Sequence, residues 1–547
     1  MKKLAVIIPA IAFGCLAASA QTTPADSIMN RTVVVEQQYN PDIVDAQKIN
    51  AVPKVTEITV SPKAVEYDNN MMPAKTIPAG IMNPYTADET QNDAYKGYVR
   101  FGYGIQGNLD IRANYLMTPT TADKLNVLFD MGGRSGKLHK VGEEGKWKSH
   151  YYRTQAAANY VHQFKKLDMD IAADVSLSNF NNSPQYPSSH KQKRFTAGAG
   201  HIGFASTSDE LPVQFTAETN LMLYSRAHPE VSASALKETL VRTKANITGN
   251  IAPEQTIGLA LTMNNRFLNG YKDYKDYTTL LLNPYYVLGS DNWKLHLGLN
   301  VDVAMSYGDK FNLSPDVTAS YTFAQSYVLY AQATGGRIMN DFRRLEIYNP
   351  HAALPQFQVN DSYERINAML GLKASPATGL WFNIYGGYQD IKDDLLTVSD
   401  RIIGLPETLL HIYYHTNTNN VYGGANVSYN YKDAFRMNLN AKYQHWDDNP
   451  LMQHMLKPEM TLEAQAAFSP TNGLNIHLAY QYIQRTKPDS GKRPDAVNNL
   501  TAGFDYQLLK GISIYARAHN ILNSKYSYYL GYMDQGISVL GGLSFRF

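Results

Sequence analysis

The chain has 547 residues, of which 44% are hydrophobic and 18% charged, with a net charge of +2 and one cysteine. A mean hydropathy of −0.35 argues against a helical membrane protein, which needs apolar stretches of about 20 residues. The near-neutral balance excludes a strongly basic nucleic-acid binder. The 39 tyrosines against 4 tryptophans suit a chain that alternates apolar and polar side chains along strands.

Residues 1–20 have the form of an export signal. Met1-Lys2-Lys3 is a basic start, Leu4 to Phe13 is a short apolar run, and Ala18-Ser19-Ala20 is a small-residue cleavage site. Cys15 follows Ala12, Phe13 and Gly14. The bulky Phe13 fits a lipoprotein signal badly, so Cys15 is expected to leave with the signal. The remaining chain would then have no disulfide, no thiolate metal site and no cysteine nucleophile.

Residues 21–94 carry Pro24, Pro41, Pro53, Pro62, Pro73, Pro78 and Pro84. That density prevents long helices and central strands, and the segment is too poor in apolar residues to build a core. It is expected to be an extended arm, periplasmic or inside a lumen.

Residues 95–547 change texture. Leu167, Met169, Ile171, Ala173, Val175 and Leu177 alternate with Asp168, Asp170, Ala172, Asp174 and Ser176. Leu295, Leu297, Leu299, Val301 and Val303 alternate with His296, Gly298, Asn300 and Asp302. Such runs span about 9 to 13 residues, enough for a tilted strand to cross a bilayer and about twice the mean strand of soluble proteins. A soluble β-sandwich also alternates, but it gives no account of the loop rhythm. Short connections, such as Thr118 to Thr121, Lys165-Lys166, Lys432-Asp433 and Ser469 to Asn472, alternate with long ones at 134–151, 179–193, 335–362, 390–419 and 521–535. Only the connection at Gly107-Asn108 is tight where a long one is expected. The fold class is therefore all-β: a transmembrane antiparallel β-barrel of about 22 strands, preceded by a Pro-rich extended arm. Both barrel termini lie on the short-turn side, and lipid covers the outer face. Gly541, Leu543, Phe545 and Phe547 alternate to a terminal aromatic. They form the expected signal for the outer-membrane barrel assembly machinery.

Four features together resemble the TonB-dependent receptor family of outer-membrane transporters. They are the strand count, the turns Ser375-Pro376-Ala377-Thr378-Gly379-Leu380 and Ser469-Pro470-Thr471-Asn472-Gly473-Leu474, the stretch Asn520-Ile521-Leu522-Asn523-Ser524-Lys525-Tyr526, and the end Gly542-Leu543-Ser544-Phe545-Arg546-Phe547. The Asn520 stretch looks like the Asn-Leu-Phe-(Asn/Asp)-x-x-Tyr that precedes the family's last outer loop. The resemblance implies residence in the bacterial outer membrane and solute uptake. Thr32-Val33-Val34-Val35-Glu36 looks like the family's TonB box, which pairs edge-on with a periplasmic coupling protein. A short strand or a lumenal peptide would have the same sequence. Family members carry a folded plug, whereas about sixty Pro-rich residues separate Val35 from Tyr95 here. A standard plug is expected to be missing. The wide lumen of 22 strands must then be filled by the arm, the long loops or a partner.

Several polar groups invite a chemical reading. His411 and His415 have a metal-chelating spacing but fall in a predicted loop, and exposed loop histidines are expected. Asp168, Asp170 and Asp174 are expected to line a lumen. Asp390, Asp393 and Asp394 with Lys392 read as a solvated loop. His190-Lys191-Gln192-Lys193-Arg194 reads as a hydrated loop or a contact for anionic lipopolysaccharide. No nucleophile elbow or phosphate loop occurs, so no enzyme, cofactor or metal site is expected. The expected function is passage or uptake of a solute across the outer membrane. The alternative is a scaffold subunit with lipoprotein or periplasmic partners.

Overall fold

In the computed structural model, residues 95–547 are described, apart from 141–143, 183–191, 209–210, 228–234, 325, 403–404, 448–456, 488–492 and 530–531. The signal, the arm and Thr32 to Val35 lie outside the described residues. Twenty-two antiparallel strands close into one barrel, as expected. The final strand, Ser538–Arg546, pairs with Ile512–His519 on one side and with the first strand, Gly97–Gly104, on the other. Phe547 completes the seam: the Gly97 amide donates to its carbonyl at 2.7 Å, and its amide donates to the Gly97 carbonyl at 3.0 Å.

The period-two pattern fixes which face is outside. Val175 is 60% exposed, while Ser176 and Ser178 are buried. Leu299 is 44% exposed, while Asp302 is 1% exposed. Apolar side chains thus point outward and polar ones inward, the reverse of a soluble sheet and the arrangement lipid requires. Leu543, Phe545 and Phe547 share this outward face. Inward rings fit against glycines of neighbouring strands, where a Cβ would collide with them: Tyr285 over Gly258, Tyr330 over Gly371 and Tyr385 over Gly424.

Short turns and both barrel termini share one end, and the long connections share the other. The tight exception is a 3-10 turn, Ile105–Gly107, with positive φ at Gln106 and Gly107. Two predicted loops are corrected. The span 134–151 is largely strand, since Asp123–His139 and Lys146–Gln163 run 17 and 18 residues. The span 390–419 is almost wholly strand, within Leu380–Ile402 and Leu405–Tyr431 of 23 and 27 residues. Charged residues there resemble a loop because they face inward onto partners, while the ladder still satisfies the backbone.

Candidate functional site: two loops folded into the lumen

The connection 339–361 turns inward. Its two feet are tied together: the Asn340 amide donates to Asp361 at 3.0 Å, and Asn340 Nδ2 donates to the Asn360 carbonyl at 2.7 Å. Asp361 also accepts from the Tyr277 hydroxyl at 2.9 Å and lies 3.7 Å from Arg266 and 3.6 Å from Arg337. Arg266 is fully paired, with Glu238 on its other side. Charge-assisted contacts of this kind hold a loop root firmly when buried.

Between the feet is one short helix, Phe342–Tyr348. Asp341 caps it by accepting from the Arg344 amide at 2.7 Å. Phe342 and Leu345 enter an apolar cluster with Phe195, Tyr224 and Leu236 on one wall and Leu395 and Tyr413 on another. The strands carrying Tyr224 and Tyr413, Gln214–Ala227 and Leu405–Tyr431, are the seventh and sixteenth of the barrel. Tyr413 lies where Leu405–Tyr431 pairs only with Leu380–Ile402, on a tall hairpin that outruns its neighbours, whose ladders with it end at Asn420 and Lys392. Arg226 from the first wall donates to the Ala352 carbonyl at 2.8 Å and to the Tyr413 hydroxyl at 2.9 Å. Tyr413 in turn donates to the Leu345 carbonyl at 2.6 Å. Ala353 bridges to Ile412 like an added strand, its amide donating to the His411 carbonyl at 2.7 Å. The segment is therefore clasped between the seventh strand and the tall hairpin, which reach each other directly through Arg226 and Tyr413.

The final connection, 520–537, also turns inward. Asn520 is fully buried and ties its ends, donating to the carbonyls of Ser524 and Gln535 at 3.0 Å each. Asp534 accepts from Tyr526 at 2.9 Å and from His519 at 3.1 Å, and it pairs with Arg134. Burial alone would raise the Asp534 carboxyl, but Arg134 and His519 outweigh it and hold it below the usual carboxylate range. A small hairpin, Ser527–Tyr529 with Tyr532–Met533, carries the loop onward. Tyr532 reaches Trp147 of the barrel wall and stacks on His351 of the first loop, with ring centroids 3.6 Å apart. Phe180 and Tyr529 also pack on His351. Two loops anchored on separate walls thus meet at one aromatic contact, at the long-loop end of the lumen.

The predicted polar groups fall into this setting with corrections. Asp390, Asp393, Asp394 and Lys392 are not a solvated loop. Asp394 is 2% exposed, pairs with Lys457 and accepts from Thr418 at 2.6 Å. Lys392 pairs with Asp309 at 2.5 Å, Asp390 with Arg365 at 3.1 Å, and Asp393 accepts from Asn360 at 3.3 Å. His411 is not an exposed loop histidine: it lies in a strand at 2% exposure and its carbonyl holds the inward loop. His415 is half-buried, 3.9 Å from Asp393. In the basic run, Lys193 is buried at a strand start while Gln192 and Arg194 are exposed, and His190 and Lys191 lie outside the described residues. Asp168, Asp170 and Asp174 lie on the inner face, with Asp170 2.6 Å from His201. No group of three His, Cys, Asp or Glu side chains arranged for a metal occurs among the described residues.

The residues that build the constriction escaped sequence reading: Arg226, Arg266, Tyr413, His351, Tyr532 and Asp534. The one local signal was Asn340-Asp341 before Phe342 and Leu345, a helix cap followed by apolar spacing.

No family model and no curated protein matches the chain. Solved structures do. The ferric enterobactin receptor of Pseudomonas aeruginosa is similar at 12% identity and a TM-score of 0.64, with 84% of this chain and 82% of that one covered. The siderophore receptor PirA of Acinetobacter baumannii is similar at 10% identity, with a TM-score of 0.64 over 84% and 81%. The FrpB iron transporter of Neisseria meningitidis is similar at 10% identity, with a TM-score of 0.62 over 84% and 82%. The chain thus has the 22-stranded barrel fold of these outer-membrane receptors and transporters.

Proposed function

We propose that the chain is a bacterial outer-membrane barrel that passes a solute through its lumen, with the two inward loops as the gate at the outer mouth. The inward seat of 339–361, clasped between the seventh strand and the tall hairpin, carries this reading, because a segment folded over the mouth governs any route through the bore. The siderophore receptors and the iron transporter that share the fold support uptake as the class of activity. In this reading, residues 1–20 are the cleaved signal and 21–94 are the arm at the periplasmic mouth. Thr32 to Val35 are the contact for a TonB-type coupling protein. Gly541, Leu543, Phe545 and Phe547 are the signal for the assembly machinery.

The test is conductance of the full chain in planar bilayers, beside a variant in which 342–359 is replaced by a short Gly-Ser linker. The variant is expected to conduct more. Equal conductance, or silence from both, would overturn the gate. Silence from both would favour a second reading, supported by the paired buried charges at both loop roots: a permanently closed barrel that acts as a scaffold. That reading predicts co-purification of a stoichiometric lipoprotein or periplasmic partner after mild detergent extraction.

A further inference from the structure

The hairpin formed by Asp123–His139 and Lys146–Gln163 stands taller than its neighbour. The adjacent connection, Ile105–Gly107, turns at the level of Ser135. The hairpin continues beyond that level, with Lys137 directly opposite Lys148 and His139 directly opposite Lys146. Leu138 and Trp147 are buried inward. The alternation therefore turns Lys137, His139, Lys146 and Lys148 outward, and all four are exposed.

This pairing is electrostatically unfavourable. Residues directly opposite on neighbouring strands have Cβ atoms about 5 Å apart, and like charges there destabilise the sheet. No ion pair relieves Lys137, Lys146 or Lys148 among the described residues. The hairpin nevertheless has well-formed ladders along its whole length. An anion bridging the ammonium groups would turn the repulsion into cohesion.

The surroundings specify which anion. Below the cationic ledge the outward side chains are first polar, His150, Tyr152 and Asn179, and then apolar. Tyr103 and Ile105, 62% and 52% exposed, lie on one side, and Leu177 and Val175, 38% and 60% exposed, begin six residues down the strand from Lys148 on the other, about 20 Å. Cations above a polar step and then an apolar wall match an amphiphile whose phosphate is carried on a polar head above its acyl chains. We infer that the outward face of this hairpin is a binding site for the phosphorylated headgroup of an anionic lipid in the leaflet at the long-loop end. Lys137 and Lys148 clamp the phosphate, and Lys146 and His139 flank it. Asn181 stiffens the base of the clamp, accepting from the His150 amide at 2.9 Å and donating to the Lys148 carbonyl at 2.9 Å.

This inference rests on the barrel spanning a membrane, so co-flotation with liposomes is measured first. Failure of the wild-type chain to insert would overturn both ideas. With insertion established, the thermal unfolding midpoint of the detergent-solubilised full chain is followed against added bis-phosphorylated lipid A. The same lipid without phosphates and inorganic phosphate serve as comparison arms. The wild-type midpoint should rise with the phosphorylated lipid alone. Lys137→Gln with Lys148→Gln should weaken that response about thirtyfold in lipid concentration, at roughly one kcal/mol for each lost cation. Lys148→Glu should reverse the signs: a higher midpoint without lipid, because opposite charges now face each other, and no rise with it. An equal response from wild type and the double variant, or an equal response to the dephosphorylated lipid, would overturn the site. So would a rise of the same size with inorganic phosphate.

Discussion

His351 and Tyr532, 181 positions apart in the chain, lie face to face with ring planes 11° from parallel. This is where the two inward loops touch. A stacked aromatic pair is worth roughly 0.5–1.5 kcal/mol beyond the area it buries, enough to hold a contact shut and little enough to open. Tyr532→Ala is expected to produce frequent high-conductance openings in single-channel recordings, with barrel folding unchanged on gels. His351→Ala should do the same, and the double variant should add little. Conductance indistinguishable from wild type in all three would remove this contact from the gate.

Tyr413→Phe tests the anchor on the tall hairpin. The hydroxyl donates to the buried Leu345 carbonyl and accepts from Arg226. Its loss removes one hydrogen bond from each, although Arg226 keeps the Ala352 carbonyl and Leu345 keeps the Asn349 amide, at about 0.5–1.5 kcal/mol per bond. The loop 339–361 should then open locally while the barrel stays closed. Limited proteolysis of the intact barrel would show faster nicking near 342–359.

Acid should release the other loop. The Asp534 carboxyl is held below its ordinary value by Arg134 and His519, so its stabilisation is fully present above the unfolded pKa of about 3.9. The stabilisation is lost as pH falls through the lower folded value. Hydrogen exchange across 520–537 should therefore accelerate below about pH 4. Asp534→Asn should exchange fast at neutral pH with no further acid step. A wild-type profile flat into acid would refute the assignment.

The ring-on-glycine joints predict a packing defect. A Cβ at Gly371 would meet the Tyr330 ring, which is held by its hydroxyl donating to Asn383 at 2.9 Å. Gly371→Ala is expected to cost about 1–3 kcal/mol through overpacking and to lower the heat-modifiability midpoint. Adding Tyr330→Ala should recover part of the loss.

Val34→Pro addresses the proposed coupling segment. Proline cannot complete an edge ladder, so energy-dependent uptake should fall while barrel assembly is unaffected. An unchanged phenotype would remove the coupling role.

The barrel was legible because a lipid-facing strand writes its two faces into adjacent residues, as Val175 and Ser176 do. The strand number followed from short turns such as Lys432-Asp433. Legibility failed at Asp390 to His415, where strands outrun the apolar band. There the outward side loses its hydrophobic signature and charges such as Asp394 turn inward to Lys457, a partner 63 positions away. The constriction was illegible for the same reason. Arg226 meets Ala352 and Tyr413 across 126 and 187 positions, and no local pattern encodes a contact between segments so far apart in the chain.

A hairpin that outruns its neighbours has no ladder on either flank to hold it upright. The Arg226–Tyr413 clasp ties the freestanding top of the Leu380–Ile402 and Leu405–Tyr431 hairpin to the seventh strand, so it acts as a latch on a hinged flap. Cutting it would free the flap while the cylinder below, closed by its own ladders, keeps its cross-section.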